Sequence, residues 1–214
     1  MAKITAVVLA AGLSQRMGQP KMLLPWGETS VLGKVVSTLC EAVTDGPADF
    51  EAKKRMAKAE FEVIVVTGGA QDLVEAEVAR LGAQGLPVRA VFNPAHETGE
   101  MMSSIRVGLA ATGPVAEFAL IALGDQPQLS AESARRVVAA AEQPGAYLIL
   151  PSFNMRRGHP WLVRRDLWPA LMVAETGRAF LQEHEAGIQY VETDETVLKD
   201  LDTPEDYQQG LNAA

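Results

Sequence analysis

The sequence predicts an α/β protein with helices on both faces of a mostly parallel sheet. Two observations carry this. Apolar runs of strand length alternate along the chain with stretches of helical period, the pattern of βαβ units. The first run, Ile4–Leu9, is continuously apolar rather than alternating, as a strand covered on both faces requires. The 214 residues, 48% of them apolar, suffice for one substantial core. The expectation is therefore a single domain over residues 1–214.

The elements follow in order. A loop punctuated by glycine and proline runs from Ala10 to Pro20. Ser30–Val43 reads as a helix, with Val31, Val35, Leu39 and Val43 on one stripe and Cys40 on its apolar side. Thr44–Glu60 is a compositional anomaly, and its charged part, Asp49–Glu60, reads as an exposed helix. Phe61–Thr67 is a strand ending at Gly68-Gly69, Asp72–Leu81 a helix and Val88–Phe92 a short strand. Met101–Ala111 is helical, and Phe118–Leu123 is a strand ending at Gly124-Asp125-Gln126-Pro127. Ser130 N-caps a helix reaching about Glu142. Tyr147–Leu150 and Trp161–Val163 are strands, with a turn at Arg156–Pro160 between them. Helices are expected at Asp166–Val173 and Gly177–His184, late strands at Gln189–Glu192 and Val197–Leu201, and a last helix at Pro204–Leu211 with Pro in its first turn.

Charge and cysteine content exclude whole classes. The formal net charge is −8, which opposes sequence-independent nucleic-acid binding and docking to an anionic membrane. A single cysteine leaves no internal disulfide framework and no multi-cysteine zinc site. No apolar run reaches the ~18 residues of a membrane span, and the N-terminal run passes straight into a glycine loop, unlike a signal peptide. A cytoplasmic protein is expected.

The segment with most chemistry is Leu9-Ala10-Ala11-Gly12-Leu13-Ser14-Gln15-Arg16-Met17-Gly18-Gln19-Pro20-Lys21. Loops at the carboxyl ends of parallel strands are where α/β sheets bind ligands. Small residues at 10, 11, 12 and 14 let backbone N–H groups approach phosphate oxygens as an anion nest. Arg16 adds a fork for two oxygens and Lys21 a mobile point charge. The segment fits neither GxGxxG nor GxxxxGK[ST]. Asp125 ends a buried strand and would sit at the same sheet edge; Mg²⁺ is typically held by one or two carboxylates together with substrate phosphates. The Asp200-Leu201-Asp202-Thr203-Pro204 run offers a second carboxylate. Asp202 is the first choice and Asp200 the alternative, while Asp202 or Thr203 before Pro204 also reads as a helix N-cap.

Leu9–Lys21 closely resembles the LAAGxSxRMGxxK signature of nucleotidyltransferases similar to the molybdenum cofactor cytidylyltransferases. The resemblance continues through Met22–Gly27, Val66-Thr67-Gly68-Gly69, Asn93 with Glu100–Ser104, Gly124–Pro127, Gly158-His159-Pro160 and Asp200–Asp206. These blocks stand in the family's order over nearly the whole chain. The Thr44–Glu60 segment departs from it by being long.

The resemblance implies a three-layer α/β/α sandwich of the nucleotide-diphospho-sugar transferase type, with acceptor-side elements at about 151–201. It implies transfer of CMP from CTP to a phosphorylated small molecule of the molybdopterin type, with Mg²⁺ bridging the phosphates to Asp125 and Asp202. Leu9, Ala10, Ala11, Gly12, Ser14, Arg16 and Lys21 would hold the nucleotide. Within that set, Arg16 would neutralise the leaving pyrophosphate and Lys21 the α-phosphate. Gly68, Gly69, Ser103 and Ser104 would neighbour base and ribose, and His159 would meet the acceptor or else fix a turn. In the resembling families, Ala at the position of Ala11 goes with cytidine nucleotides and Gly with guanosine nucleotides. A molybdoenzyme receiving the product is a further expected partner. The rival readings are a GTP-using or sugar- or polyol-phosphate nucleotidyltransferase, and a non-catalytic chaperone that hands on a cofactor. His96 and His184 read as surface residues, and Trp26 as core.

Overall fold

A computed structural model describes residues 2–44, 61–98 and 100–213. The expected exposed helix at Asp49–Glu60 lies outside them. The described residues form seven α-helices: α1 (Val31–Thr44), α2 (Gln71–Ala83), α3 (Met101–Ala111), α4 (Ala131–Ala139), α5 (Trp168–Val173), α6 (Gly177–Glu183) and α7 (Pro204–Ala213). The strands are β1 (Ile4–Ala10), β2 (Pro25–Trp26), β3 (Thr29–Ser30), β4 (Glu62–Thr67), β5 (Val88–Phe92), β6 (Phe118–Leu123), β7 (Leu148–Phe153), β8 (Arg156–Arg157), β9 (Trp161–Arg164) and β10 (Ile188–Glu192).

The main sheet runs β10-β7-β9-β6-β1-β4-β5, with β8 paired to β7. β1 is parallel to both β4 and β6, β4 to β5, and β10 to β7. β9 is antiparallel to both of its neighbours. All seven residues of β1 are buried, and its alternate side chains enter two different cores. Ala6, Val8 and Ala10 pack with Leu32 and Val36 of α1, Val74 and Val78 of α2, and Val137 of α4. Val7 and Leu9 pack with Ile105 of α3, Leu171 of α5 and Phe180 of α6. A strand buried on both sides is the physical meaning of the continuous apolar run. Three layers result, as the resemblance implies.

Three differences between the sequence-predicted elements and the structure have a plain physical reason. Ser30 precedes α1, and its hydroxyl accepts the Gly33 N–H at 2.9 Å, so it caps that helix. The Tyr147–Leu150 strand extends to Phe153 because β8 folds back onto it. The strand expected at Val197–Leu201 is not formed. Glu195–Leu198 is a 3-10 turn whose Asp194 carboxylate accepts the Thr196 N–H, and the following residues are drawn to the end of β6, where the Leu201 N–H donates to the Asp125 carbonyl at 3.0 Å.

Candidate active site

Register fixes where the chemistry gathers. Leu9 of β1 pairs with Leu123 of β6, and Ala10 pairs with Thr67 of β4. The segments after these strands, Ala11–Pro20, Gly68–Ala70 and Gly124–Pro127, therefore leave one sheet edge side by side. A small core of Met17, Leu24, Trp26, Val31 and Leu201, with Tyr207 and Leu211 against it, ties the first loop to the C-terminal segment. Trp26 is 5% exposed and belongs to that core.

The loop is held open by its own backbone. Ser14 has φ +51°, a left-handed conformation uncommon outside glycine, and its hydroxyl accepts the Lys21 N–H at 3.2 Å. Among the described residues, the N–H groups of Gly12, Leu13 and Ser14 have no protein acceptor, and a Cβ at Gly12 would meet nothing within 4 Å. Gly68 and Gly69 brace this loop from behind. A Cβ on Gly68 would fall 2.6 Å from the Ala11 carbonyl oxygen and 2.5 Å from the His96 Cβ, and the Gly69 N–H donates to the Ala11 carbonyl at 3.1 Å.

Lys21 is 9% exposed. Its Nζ lies 2.5 Å from Asp125 Oδ2, 3.0 Å from the Leu201 carbonyl oxygen and 3.6 Å from Asp202 Oδ1. Arg16, on the outer side of the loop, reaches Asp202 Oδ2 at 3.1 Å. Residues from three parts of the chain thus form one chain of charges, Arg16–Asp202–Lys21–Asp125. Asp202 is free to take part because Thr203 caps α7. The Thr203 hydroxyl accepts the Asp206 N–H at 3.2 Å, and the Asp206 carboxylate accepts the Thr203 N–H at 2.8 Å, a reciprocal box. Asp200 is turned elsewhere: Oδ1 accepts from Gln126 Nε2 at 2.7 Å. Burial pushes its carboxyl above the ordinary range, and the nearby Asp125 and Asp202 charges add to this against the Gln126 hydrogen bond.

Two cavities meet here. One of about 270 Å³ is lined by Leu9, Ala11, Met101, Ser104 and Asp125 among others. The other, of about 340 Å³, is lined by Ser14, Arg16, Met17 and Asp202. Gly12, Lys21 and His96 line both. Ala10 is 1% exposed, in the core beneath the loop. Ser103 and Ser104 are both bound by Asn93, whose Nδ2 donates to their hydroxyls at 2.8 and 3.0 Å, and only Ser104 lines the first cavity.

His159 is not in the wall of either cavity. Its ring stacks on Trp161, with centroids 4.8 Å apart and planes 11° apart, and its N–H donates to the Val197 carbonyl at 3.1 Å. Nε2 is buried without a hydrogen-bond partner among the described residues, and burial pushes the imidazole down to about 4.

Two participants are not evident from residue types. The Leu201 carbonyl has no sequence signal, since every residue owns one. His96 reads as a surface residue in isolation, yet it stands in the shared wall of both cavities; its only signal is its place three residues after Asn93 in a tight turn.

The chain is similar over nearly its whole length to known proteins. The profile of the MobA-like NTP transferase domain matches residues 6–188. The molybdenum cofactor cytidylyltransferase of Escherichia coli (strain K12) is 28% identical over 214 residues, covering 97% of this chain and 95% of that protein. A nucleotidyl transferase from Methanothermobacter thermautotroptrophicus superposes with a TM-score of 0.75 at 26% identity, covering 98% of this chain and 96% of the other. Rv0371C from Mycobacterium tuberculosis H37Rv, solved in complex with manganese, superposes with a TM-score of 0.71 at 28% identity over the whole of both chains.

Proposed function

Since the chain belongs to the MobA-like NTP transferase domain family and is a nucleotidyltransferase, we propose that it moves CMP from CTP to a phosphorylated acceptor of the molybdopterin type, releasing pyrophosphate. The observation that carries this reading is the convergence of Lys21, Asp125 and Asp202 beneath a loop with unclaimed N–H groups. In this reading, the base fills the cavity beside Ala11 and Ser104, and the triphosphate fills the cavity beside Ser14 and Arg16.

The chemistry is one displacement. A phosphate oxygen of the acceptor bonds to the α-phosphorus of CTP while the bond from that phosphorus to the bridging oxygen of the β-phosphate breaks, and the electron pair leaves with pyrophosphate. An ionised phosphate needs no general base. The protein's part is positioning and charge stabilisation. The loop N–H groups and Ser14 hold the phosphates, Arg16 faces the leaving pyrophosphate, and Lys21 supports charge on the α-phosphoryl oxygens. Gly68 and Gly69 hold the loop.

The donor set fits a hard dication. Two carboxylates already share one cation, the Lys21 ammonium, and the described residues hold no group of three or more His, Cys, Asp and Glu in place to hold a metal. Asp125 and Asp202 would hold Mg²⁺, which takes its remaining ligands from phosphate and water and would supply charge neutralisation at the phosphates. The mycobacterial relative was solved with manganese, which has the same preference for oxygen. CTP rather than GTP is supported by the methyl group of Ala11 in the cavity wall and by the name of the Escherichia coli relative. No helix among the described residues is long and apolar enough to cross a membrane, and the reaction is assigned to the cytoplasm.

A thermal-shift panel of CTP, GTP, ATP and UTP, each with and without Mg²⁺, tests this. A ligand at about 100 times its dissociation constant stabilises the native state by ~2.7 kcal/mol. CTP with Mg²⁺ is expected to stand clear of the others; a larger shift with GTP would overturn the base assignment.

A further inference from the structure

We propose that His96 is a ribose-reading residue, whose Nε2 accepts a hydrogen bond from a ribose hydroxyl of the bound nucleotide. This rests on the nucleotide path proposed above. Together with Gly12 and Lys21, His96 lines both cavities. A nucleotide with its base in one cavity and its triphosphate in the other must place its sugar at their junction. Of the three shared residues, Gly12 has no side chain, and Lys21 is already bound to Asp125, Asp202 and the Leu201 carbonyl. His96 is the one whose side chain is available for recognition there.

The ring is oriented in advance. The Asn93 carbonyl accepts from the His96 backbone N–H at 3.2 Å and lies 3.1 Å from Nδ1. Asn93 is itself 1% exposed and fixed on every side: its N–H donates to the Thr67 carbonyl, its Oδ1 accepts the Ala95 N–H, and its Nδ2 binds Ser103 and Ser104. The ring also packs against Phe92, with centroids 5.6 Å apart, and Gly68 lets the His96 Cβ approach the loop closely.

A carbonyl can only accept, so the contact assigns the ring proton to Nδ1. The neutral imidazole then presents Nε2 as an acceptor. A lone pair is ill-matched to phosphate oxygens, which are acceptors themselves, and well matched to a hydroxyl. Between a base and its triphosphate, the hydroxyls are those of the ribose. Asn93 is a positioning residue in this scheme, since it acts through the imidazole.

The test is binding, with no turnover. Dissociation constants for CTP, 2′-deoxy-CTP and 3′-deoxy-CTP are measured by calorimetry with Mg²⁺ in the wild type, His96→Ala and His96→Gln, after the fold of each variant is checked by its melting curve. The wild type should prefer CTP over at least one deoxy analogue by about threefold to tenfold, the range of a single net hydrogen bond. His96→Ala should remove that preference by weakening CTP while leaving the same analogue unchanged. His96→Gln keeps a carbonyl acceptor and should retain part of it, which also covers a failure of His96→Ala to fold. The two deoxy arms tell which hydroxyl is read. An unchanged preference in His96→Ala, or an equal loss for CTP and both analogues, overturns the proposal. If GTP binds in place of CTP, the base assignment fails alone, and the same ratio measured with GTP and its deoxy analogues still decides the role of His96. If no nucleotide binds the wild type, the nucleotide path and this proposal fall together.

Discussion

Lys21 and Asp125 stand 104 residues apart in the sequence, and their Nζ and Oδ2 atoms are 2.5 Å apart. The carboxylates proposed to hold a metal are thus already paired with the chain's own cations, Asp125 with Lys21 and Asp202 with Lys21 and Arg16. Any dication entering without a nucleotide must displace a buried ammonium that also donates to the Leu201 carbonyl. A triphosphate gives that ammonium a new partner. Metal alone is therefore expected to bind weakly to the wild type and about tenfold more tightly to Lys21→Met, as read by the electron paramagnetic resonance of free Mn²⁺. Asp125→Asn should lose binding in both backgrounds. Turnover of Lys21→Met should fall by about 10²–10³, the cost of deleting one charge-stabilising donor. Equal Mn²⁺ affinity in the wild type and Lys21→Met would remove the competition.

Asp200 and Asp202 are two residues apart and have opposite surroundings. Asp202 faces Lys21 and Arg16, whereas Asp200 is engaged by Gln126. Asp202→Asn should lower kcat by about two orders of magnitude. Asp200→Asn keeps an oxygen for Gln126 and should stay within a few-fold of wild type. Burial holds the Asp200 carboxyl above its ordinary value. The folded state therefore binds the proton more tightly than the unfolded chain, and stability is lost as pH rises through the folded value. Removing the charge should raise the melting temperature at neutral pH and flatten its decline above the ordinary carboxylate range. Melting curves between pH 4 and 8 check both points.

Gly68→Ala probes the brace behind the loop. Its Cβ would stand 2.6 Å from the Ala11 carbonyl and 2.5 Å from the His96 Cβ, so the loop and the Asn93–His96 turn must shift. Overpacking of this kind costs about 1–3 kcal/mol. The larger effect should appear in nucleotide affinity, measured by calorimetry, with the Kd rising about tenfold or more.

The sheet was legible because burial on both faces leaves a mark in composition: Ile4–Leu9 and Phe118–Leu123 have no polar side chain beyond Thr5. The loop was legible because small residues before Arg16 and Lys21 are a chemical pattern rather than a structural one. The Val197–Leu201 strand was misread because an apolar residue every few positions serves a buried 3-10 turn equally well; Val197 and Leu201 are both fully buried outside any strand. Thr203 as the cap of α7 could not be separated from Asp202 by residue type, since both accept N–H bonds; the choice is made by Asp206, which closes the box on Thr203. His96 is not legible in its own segment, because its setting depends on Gly68, which arrives from the end of β4, and on cavity walls built by the first loop.

His159 gives a prediction in pH. Unfolded, its ring takes a proton near the ordinary 6.5; folded, burial delays this to about 4. Between those values the unfolded chain holds the extra proton, so the contribution is fully present above about pH 6.5 and is lost as pH falls toward 4. His159→Phe keeps an aromatic ring for the stack on Trp161, removes the unpartnered Nε2 and cannot titrate. Its stability relative to wild type should therefore rise steadily as pH drops from 7 to 4.5, by a few kcal/mol at the acid end, measured by urea unfolding at each pH. Parallel profiles for the two proteins would mean that the imidazole is protonated in the folded state and has found a partner for Nε2. Unchanged nucleotide affinity in His159→Phe, together with a raised KM for the acceptor, would place the imidazole against the second substrate. Unchanged KM values for both substrates would leave His159 to the turn alone.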